Sequence, residues 1–168
     1  MSMLPPPLPP EHLRDPGDAW VEGPDGTRYW GRFGAAGALV WHPPRGVLLQ
    51  LRAEWSHHGL TWGIPGGALK LGESAHDAAL RESHEEAGVP LEGLEAIHTE
   101  VLDLGFWSYT SVVFHASDYF PPVVNDHESA DIAWIEVEKV AEMPLHPAFA
   151  KAWPGLKAVI ESHHEIGK

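Results

Sequence analysis

Apolar residues run almost unbroken over Ala35–Trp41 and again over Gly46–Leu51, with His42-Pro43-Pro44-Arg45 between them. Short apolar runs bounded by turn residues read as buried strands, so the pattern predicts strand, turn, strand. Leu60–Ile64 is a further short strand, and Pro65-Gly66-Gly67 behind it is expected to break regular structure. The period then becomes helical, over about Ala75 to Ala87. Ser74 suits the N-cap, with Asp77 three residues on as its capping-box partner. Gly88 suits the left-handed position past the end, and Pro90 prevents continuation. Leu94–Leu104 and Trp107–Ala116 read as two long strands joined near Gly105. Ile132–Val137 is another strand and Glu138–Glu142 a helical turn. Pro147–His164 is a final helix, disturbed at Pro154-Gly155. Strands on both sides of one central helix, with a helix at the end, predict an α/β fold with a mixed sheet between helices.

The first 34 residues carry a different pattern. Leu4–Pro10 is proline-rich, which favours polyproline-like or disordered chain. Asp15-Pro16-Gly17 and Pro24-Asp25-Gly26 are turn signals, with Tyr29–Phe33 a short strand after them. The expected organisation is therefore an N-terminal extension over 1–34, partly disordered or packed on the domain, and one domain over 35–168.

Composition narrows the classes. A chain of 168 residues is the length of one ordinary domain, and 43 % hydrophobic residues is a globular value. With no cysteine, disulfides and thiolate-ligated metals are excluded. No apolar run approaches the roughly 18 residues of a membrane span, and the N-terminus lacks a signal-peptide layout, so the expected location is the cytoplasm. A net charge of −13 argues against nucleic-acid polymers, which need a basic footprint. A polyanionic small molecule stays compatible if metal ions stand between the charges. The 12 histidines are scattered, with pairs at His57-His58 and His163-His164, and read as surface residues.

The specific chemistry lies between Gly66 and Val89. At 100° per residue, Glu82, Glu85 and Glu86 fall within an arc of about 100°. A bare run of this kind is usually a solvated acidic face. Two features point elsewhere. Ala75 and Ala78 share the arc and leave room for another segment or a ligand. The loop Pro65–Gly72, with three glycines, permits close approach. Carboxylates beside backbone carbonyls make the all-oxygen set that hard cations such as Mg²⁺ take. The neighbouring arc of Ala79, Leu80, Ser83 and Ala87 should pack on the sheet. Arg81 stands beside Glu85 at i+4 and can reach back to Glu73.

The segment Gly67-x5-Glu73-x7-Arg81-Glu82-x2-Glu85-Glu86-x-Gly88-Val89 resembles the Nudix box, G-x5-E-x7-R-E-U-x-E-E-x-G-U, where U is bulky and aliphatic. Seven such identities arise by chance on the order of once in 10⁸ start positions. Trp62-Gly63-Ile64-Pro65-Gly66-Gly67 is similar to the family's usual lead-in. Ser83 departs from the pattern at the first U. It faces the expected core, where a helical serine can bond back to the carbonyl of Ala79.

The resemblance implies a Nudix α/β/α sandwich with a central mixed β-sheet and hydrolysis of a nucleoside diphosphate linked to a group X. It implies Mg²⁺ (or Mn²⁺) held by Glu82, Glu85 and Glu86, with the Gly66 carbonyl a further ligand. Arg81 and Glu73 become the supporting pair, and Glu85 or Glu86 the general base. In this family the base can instead come from a distant loop, for which Glu128 and Asp131 are the candidates. Arg52 and Lys70 are candidates for binding substrate phosphate. Trp55, Trp62, Trp107 and Trp134 flank the site in sequence, as core residues or as a platform for a base. The proline that marks ADP-ribose enzymes is replaced by Gly105, and Tyr109 lies beyond the place of a dinucleoside-polyphosphate tyrosine. A MutT-like role on nucleoside triphosphates is left by elimination, with a non-cleaving nucleotide sensor or an ADP-ribose or sugar-nucleotide pyrophosphatase as alternatives. Many relatives pair, which leaves a homodimer open.

Overall fold

The computed structural model describes residues 15–125 and 129–166. The elements are β1 (Trp20–Glu22), β2 (Arg28–Trp30), β3 (Ala35–His42), β4 (Gly46–Arg52), β5 (Trp62–Gly63), β6 (Gly66–Ala68), α1 (Ala75–Ala87), β7 (Leu94–Asp103), β8 (Ser108–Ala116), β9 (Ser129–Ile135), a 3₁₀ turn (Val137–Glu142) and α2 (Pro147–Ile166). The α1 bounds match those read from its caps. Ser74 Oγ accepts from the Asp77 amide at 3.1 Å, and Gly88 adopts φ 70° with its N–H on the His84 carbonyl.

The main sheet runs β5-β4-β3-β8-β7, with β9 on β4 and β6 on β3. β3 lies parallel to β8 along one edge. Its other edge is shared. Trp41 and His42 pair with β4, while Ala35–Gly37 pair with β6. The sheet is therefore mixed. Alternation along β3 feeds two cores. Ala36, Ala38 and Val40 face α1 with Leu48, Val112 and Phe114, against Ala78, Ala79 and Ala87. Leu39 and Trp41 face α2 with Val47, Leu49 and Val113, against Phe149, Trp153, Leu156 and Ile160. Alanines on both sides of the α1 interface let the helix sit close on the strands. The α/β/α sandwich is thus as expected.

Several elements differ from the sequence expectation. Pro65-Gly66-Gly67 does not break the structure, because Gly66–Ala68 forms β6. A Cβ on Gly66 would stand 2.3 Å from the Ala36 carbonyl oxygen, so glycine permits a strand packed this tightly. α2 runs unbroken through Pro154, held by the buried stripe Phe149, Trp153, Leu156 and Ile160. The Leu60–Ile64 run yields only Trp62–Gly63, and β9 starts at Ser129, ahead of its apolar stretch. β1 was not expected. It pairs with β2 through Trp20↔Trp30 and Glu22↔Arg28.

That hairpin lies on the rest of the chain. Tyr29 stacks on Trp107 at 4.7 Å, and Trp107 Nε1 donates to the Trp30 carbonyl at 3.2 Å. Asp15 Oδ1 accepts from the Leu71 amide at 3.0 Å, which ties the segment to the loop before α1. The Leu4–Pro10 expectation lies outside the described residues. Among those described, no helix is long and apolar enough to cross a membrane.

Candidate active site

The loop before α1 and one face of α1 form a single charged network centred on Arg81. Its guanidinium clamps Glu73 through two bonds, Nε to Oε2 and Nη2 to Oε1, both 2.9 Å. Nη2 also donates to the Ala68 carbonyl at 3.1 Å, fastening β6 to the helix. Nη1 reaches Glu82 Oε1 at 2.9 Å and Glu85 Oε2 at 3.3 Å. The planar fork suits this load, because a guanidinium can serve several carboxylates at once. The Arg81 bond is the main reason the Glu73 carboxyl lies below its ordinary range. Arg81 is correspondingly raised, first by Glu73 and also by Glu82. Both members of the pair predicted as support are thus joined. Glu73 also caps the turn that precedes α1, accepting from the Lys70 amide at 3.0 Å.

The three carboxylates predicted as metal ligands share one face but not one environment. Glu86 is buried, 2 % exposed, and its Oε2 accepts from the Gly66 amide at 2.9 Å. A buried carboxylate needs such a donor. Glu82 lies under Gly67, where a Cβ would come within 2.6 Å of its carboxylate carbon. Glu85 is 53 % exposed and faces solvent. Among the described residues no three acidic or histidine side chains converge as an ion's ligands would, since Arg81 draws Glu82 and Glu85 to itself. The donors are nonetheless all oxygen and borne on one helix face, the chemistry a hard divalent cation takes. Their fit to Mg²⁺ is one of donor type, and glycine at position 67 lets the Glu82 carboxylate lie close against the β6 backbone.

Ser83 is fully buried at the aliphatic position of the box. Its Oγ donates to Leu80, three residues back, at 3.0 Å, not to Ala79 as expected. The shorter reach satisfies the hydroxyl inside the helix's own turn. The remaining expected packing residues, Ala79, Leu80 and Ala87, lie on the sheet side as predicted.

The other candidates separate. Lys70 is exposed and its charge contributes to lowering Glu73, which places it with the supporting loop. Asp131 is exposed, and its Oδ1 accepts from the Ile132 amide at 2.8 Å. Glu128 lies outside the described residues. Arg52 ends β4 at a register shift, and its Nε donates to the His57 carbonyl at 2.9 Å. Trp62 packs on the α2-side core. Trp107 is held by the hairpin. Trp134 packs on Phe120 at 5.1 Å and donates to its carbonyl at 3.1 Å. All three therefore have packing roles.

Two residues of the site were not singled out as functional from the sequence. A Cβ on Gly37 would lie 2.1 Å from the Tyr109 hydroxyl, so the glycine makes room for that ring. A glycine inside an otherwise apolar strand was the available signal. Burial raises the Tyr109 hydroxyl pKa, the Glu86 charge raises it further, and Arg52 opposes both. Tyr109 thus stays protonated and able to donate.

A glycine-built strand feeding a carboxylate-lined helix, laid on a mixed sheet, is the architecture that the box implied. The NUDIX domain matches residues 31–157. A Mycobacterium tuberculosis protein whose name, 8-oxo-dGTP diphosphatase 3, is a provisional assignment shares 46 % identity over 162 residues, covering 90 % of this chain and 74 % of that protein. A nucleoside triphosphate pyrophosphatase/Nudix hydrolase fusion protein of Bifidobacterium longum is 40 % identical, over 92 % of this chain and 34 % of the fusion. The solved structure of RenU, a Nudix hydrolase from M. smegmatis, has 44 % identity and a TM-score of 0.79, covering 87 % of this chain and 96 % of RenU. The chain belongs to the Nudix hydrolase family.

Proposed function

We propose that this chain is a metal-dependent pyrophosphohydrolase of nucleoside triphosphates, MutT-like, with oxidised dGTP among its substrates. The observation that carries the reading is the intact carboxylate face of α1, with Arg81 clamped on Glu73 and Glu86 anchored on the Gly66 amide. The provisional name of the M. tuberculosis relative supports the choice of nucleotide.

Glu82, Glu85 and Glu86, with the Gly66 carbonyl, would hold Mg²⁺ or Mn²⁺, which when bound would offset phosphate charge and make water more acidic. The chain's own groups do the rest. The Arg81–Glu73 clamp fixes the pitch of α1 against β6, so the carboxylates are positioned before substrate arrives. Glu86, buried and amide-bound, is the fixed element. Glu85, the more accessible of the two candidate bases, takes the proton as water oxygen bonds to phosphorus. The bridging P–O bond then breaks, and the leaving pyrophosphate keeps its electron pair.

The test is a panel of nucleoside triphosphates, oxidised dGTP, ADP-ribose, sugar nucleotides and dinucleoside polyphosphates, run with Mg²⁺, Mn²⁺ or chelator beside a Glu85→Gln/Glu86→Gln variant. Ion-exchange chromatography resolves the products. Metal-dependent release of pyrophosphate, lost in the variant, supports the reading. Tight nucleotide binding with no turnover would replace it with a sensing module.

A further inference from the structure

Three histidines that sequence separation hides converge beside Arg52. The His57 and His58 rings lie 4.0 Å apart between centroids, and the His58 and His146 rings 4.9 Å apart. His146 is held rigidly. Its amide donates to the Trp62 carbonyl at 2.8 Å and Trp62 donates to Pro144 at 2.8 Å, so this segment is stitched to β5. His146 Nδ1 accepts from the Ala148 amide at 3.1 Å. In the neutral ring the proton therefore sits on Nε2, which becomes a donor. Arg52 spends only Nε on the His57 carbonyl, and among the described residues its two terminal nitrogens have no hydrogen-bond partner. In the same loop His58 has φ 56° and Leu60 φ 59°, a conformation rare outside glycine.

The chemistry of the cluster favours an anion. A permanent guanidinium charge stands next to imidazoles, and burial first, then Arg52, His58 and His57, hold His146 down to about 4. It is thus a neutral donor at physiological pH. A cation would meet the Arg52 charge, and among the described residues no three histidine or acidic groups form an ion's ligand set. The cluster is tied to the proposed catalytic face through one short segment, since Trp62 bonds to the His146 segment and Gly66, just after it, donates its amide to Glu86.

We propose that Arg52, His58 and His146 form an oxyanion subsite that takes the pyrophosphoryl end of the nucleotide while the bond to be cut lies at the α1 carboxylates. This rests on the nucleotide-hydrolase reading above. The subsite would orient the leaving group and release it as pyrophosphate.

The probe is inorganic pyrophosphate, titrated into the metal-free protein with chelator present. Histidine ring resonances are followed by NMR, and affinity by calorimetry, for the wild type, His58→Gln and His146→Gln. The expected result is saturable movement of the His58 and His146 signals and about a tenfold weaker Kd in each variant. KM for the best nucleotide should rise by a similar factor, with kcat falling far less. Unmoved ring signals in the wild type, a readout that needs no variant to fold, would overturn the subsite, as would variant affinities within twofold of wild type. Histidine-dependent pyrophosphate binding without any nucleotide turnover would retain the subsite and remove the hydrolase reading. Turnover with unchanged KM in both variants would do the reverse.

Discussion

Replacing Arg81 by alanine removes the group on which the site's carboxylates converge. In the native chain it makes five bonds, to Glu73 twice, Glu82, Glu85 and the Ala68 carbonyl. The 3.3 Å bond to exposed Glu85 is worth little. The Glu73 clamp matters more, since the two side chains are 21 % and 14 % exposed. Breaking a well-buried pair costs about 3–5 kcal/mol, and partial solvent screening reduces that here. We expect a loss of about 2–3 kcal/mol, which for a domain of this size lowers Tm on the order of 5–10 °C. Arg81→Lys keeps the charge but not the fork, and should lose about half as much. Both are measured by thermal unfolding followed by circular dichroism, with chelator present. The pH dependence supplies an independent check. Glu73 is held below its unfolded pKa, so its contribution is present above the unfolded value and lost as pH falls through the folded one. In Arg81→Ala that acid-side loss should shrink. A Tm shift under about 1 °C, with an unaltered acid limb, would refute the clamp as a stabilising element.

Other substitutions probe different parts of the same design. Gly66→Ala places a Cβ 2.3 Å from a backbone oxygen and should cost about 2 kcal/mol or more by overpacking at the β3–β6 pair, read by urea denaturation; near-neutral stability would contradict the tight pairing. Ser83→Ala removes a bond to the helix's own carbonyl and should change stability by less than about 1 kcal/mol in the same assay. Gly37→Ala must displace the Tyr109 hydroxyl, and should raise KM in steady-state kinetics while the protein still folds. His146, held neutral down to about 4, becomes unfavourable as pH falls from the unfolded value near 6.5, because only the unfolded chain takes up its proton. His146→Gln should therefore flatten the fall in stability between those limits, measured by denaturation at a series of pH values.

The chain's own pattern determined α1 to the residue, the caps at Ser74 and Gly88, the grouping of Glu82, Glu85 and Glu86, and the reach of Arg81 to Glu73. These are local facts. Caps, wheel positions and separations of up to eight residues along a helix or its lead-in depend on backbone geometry alone. The near-unbroken apolar run of β3 likewise marked a buried strand. Tertiary structure decided the rest. β6 has no apolar alternation to read, because its glycines were selected by the nearness of β3 and Glu82. α2 passes through Pro154 because the buried stripe on the sheet outweighs one missing N–H. Only folding showed that Glu86 is buried and Glu85 is not, since burial depends on which strand lies over which turn. The gathering of Arg52, His57, His58 and His146 was equally invisible in the sequence. It depends on β5 being stitched, through Trp62, to Pro144 and His146 in the segment before α2, far along the chain.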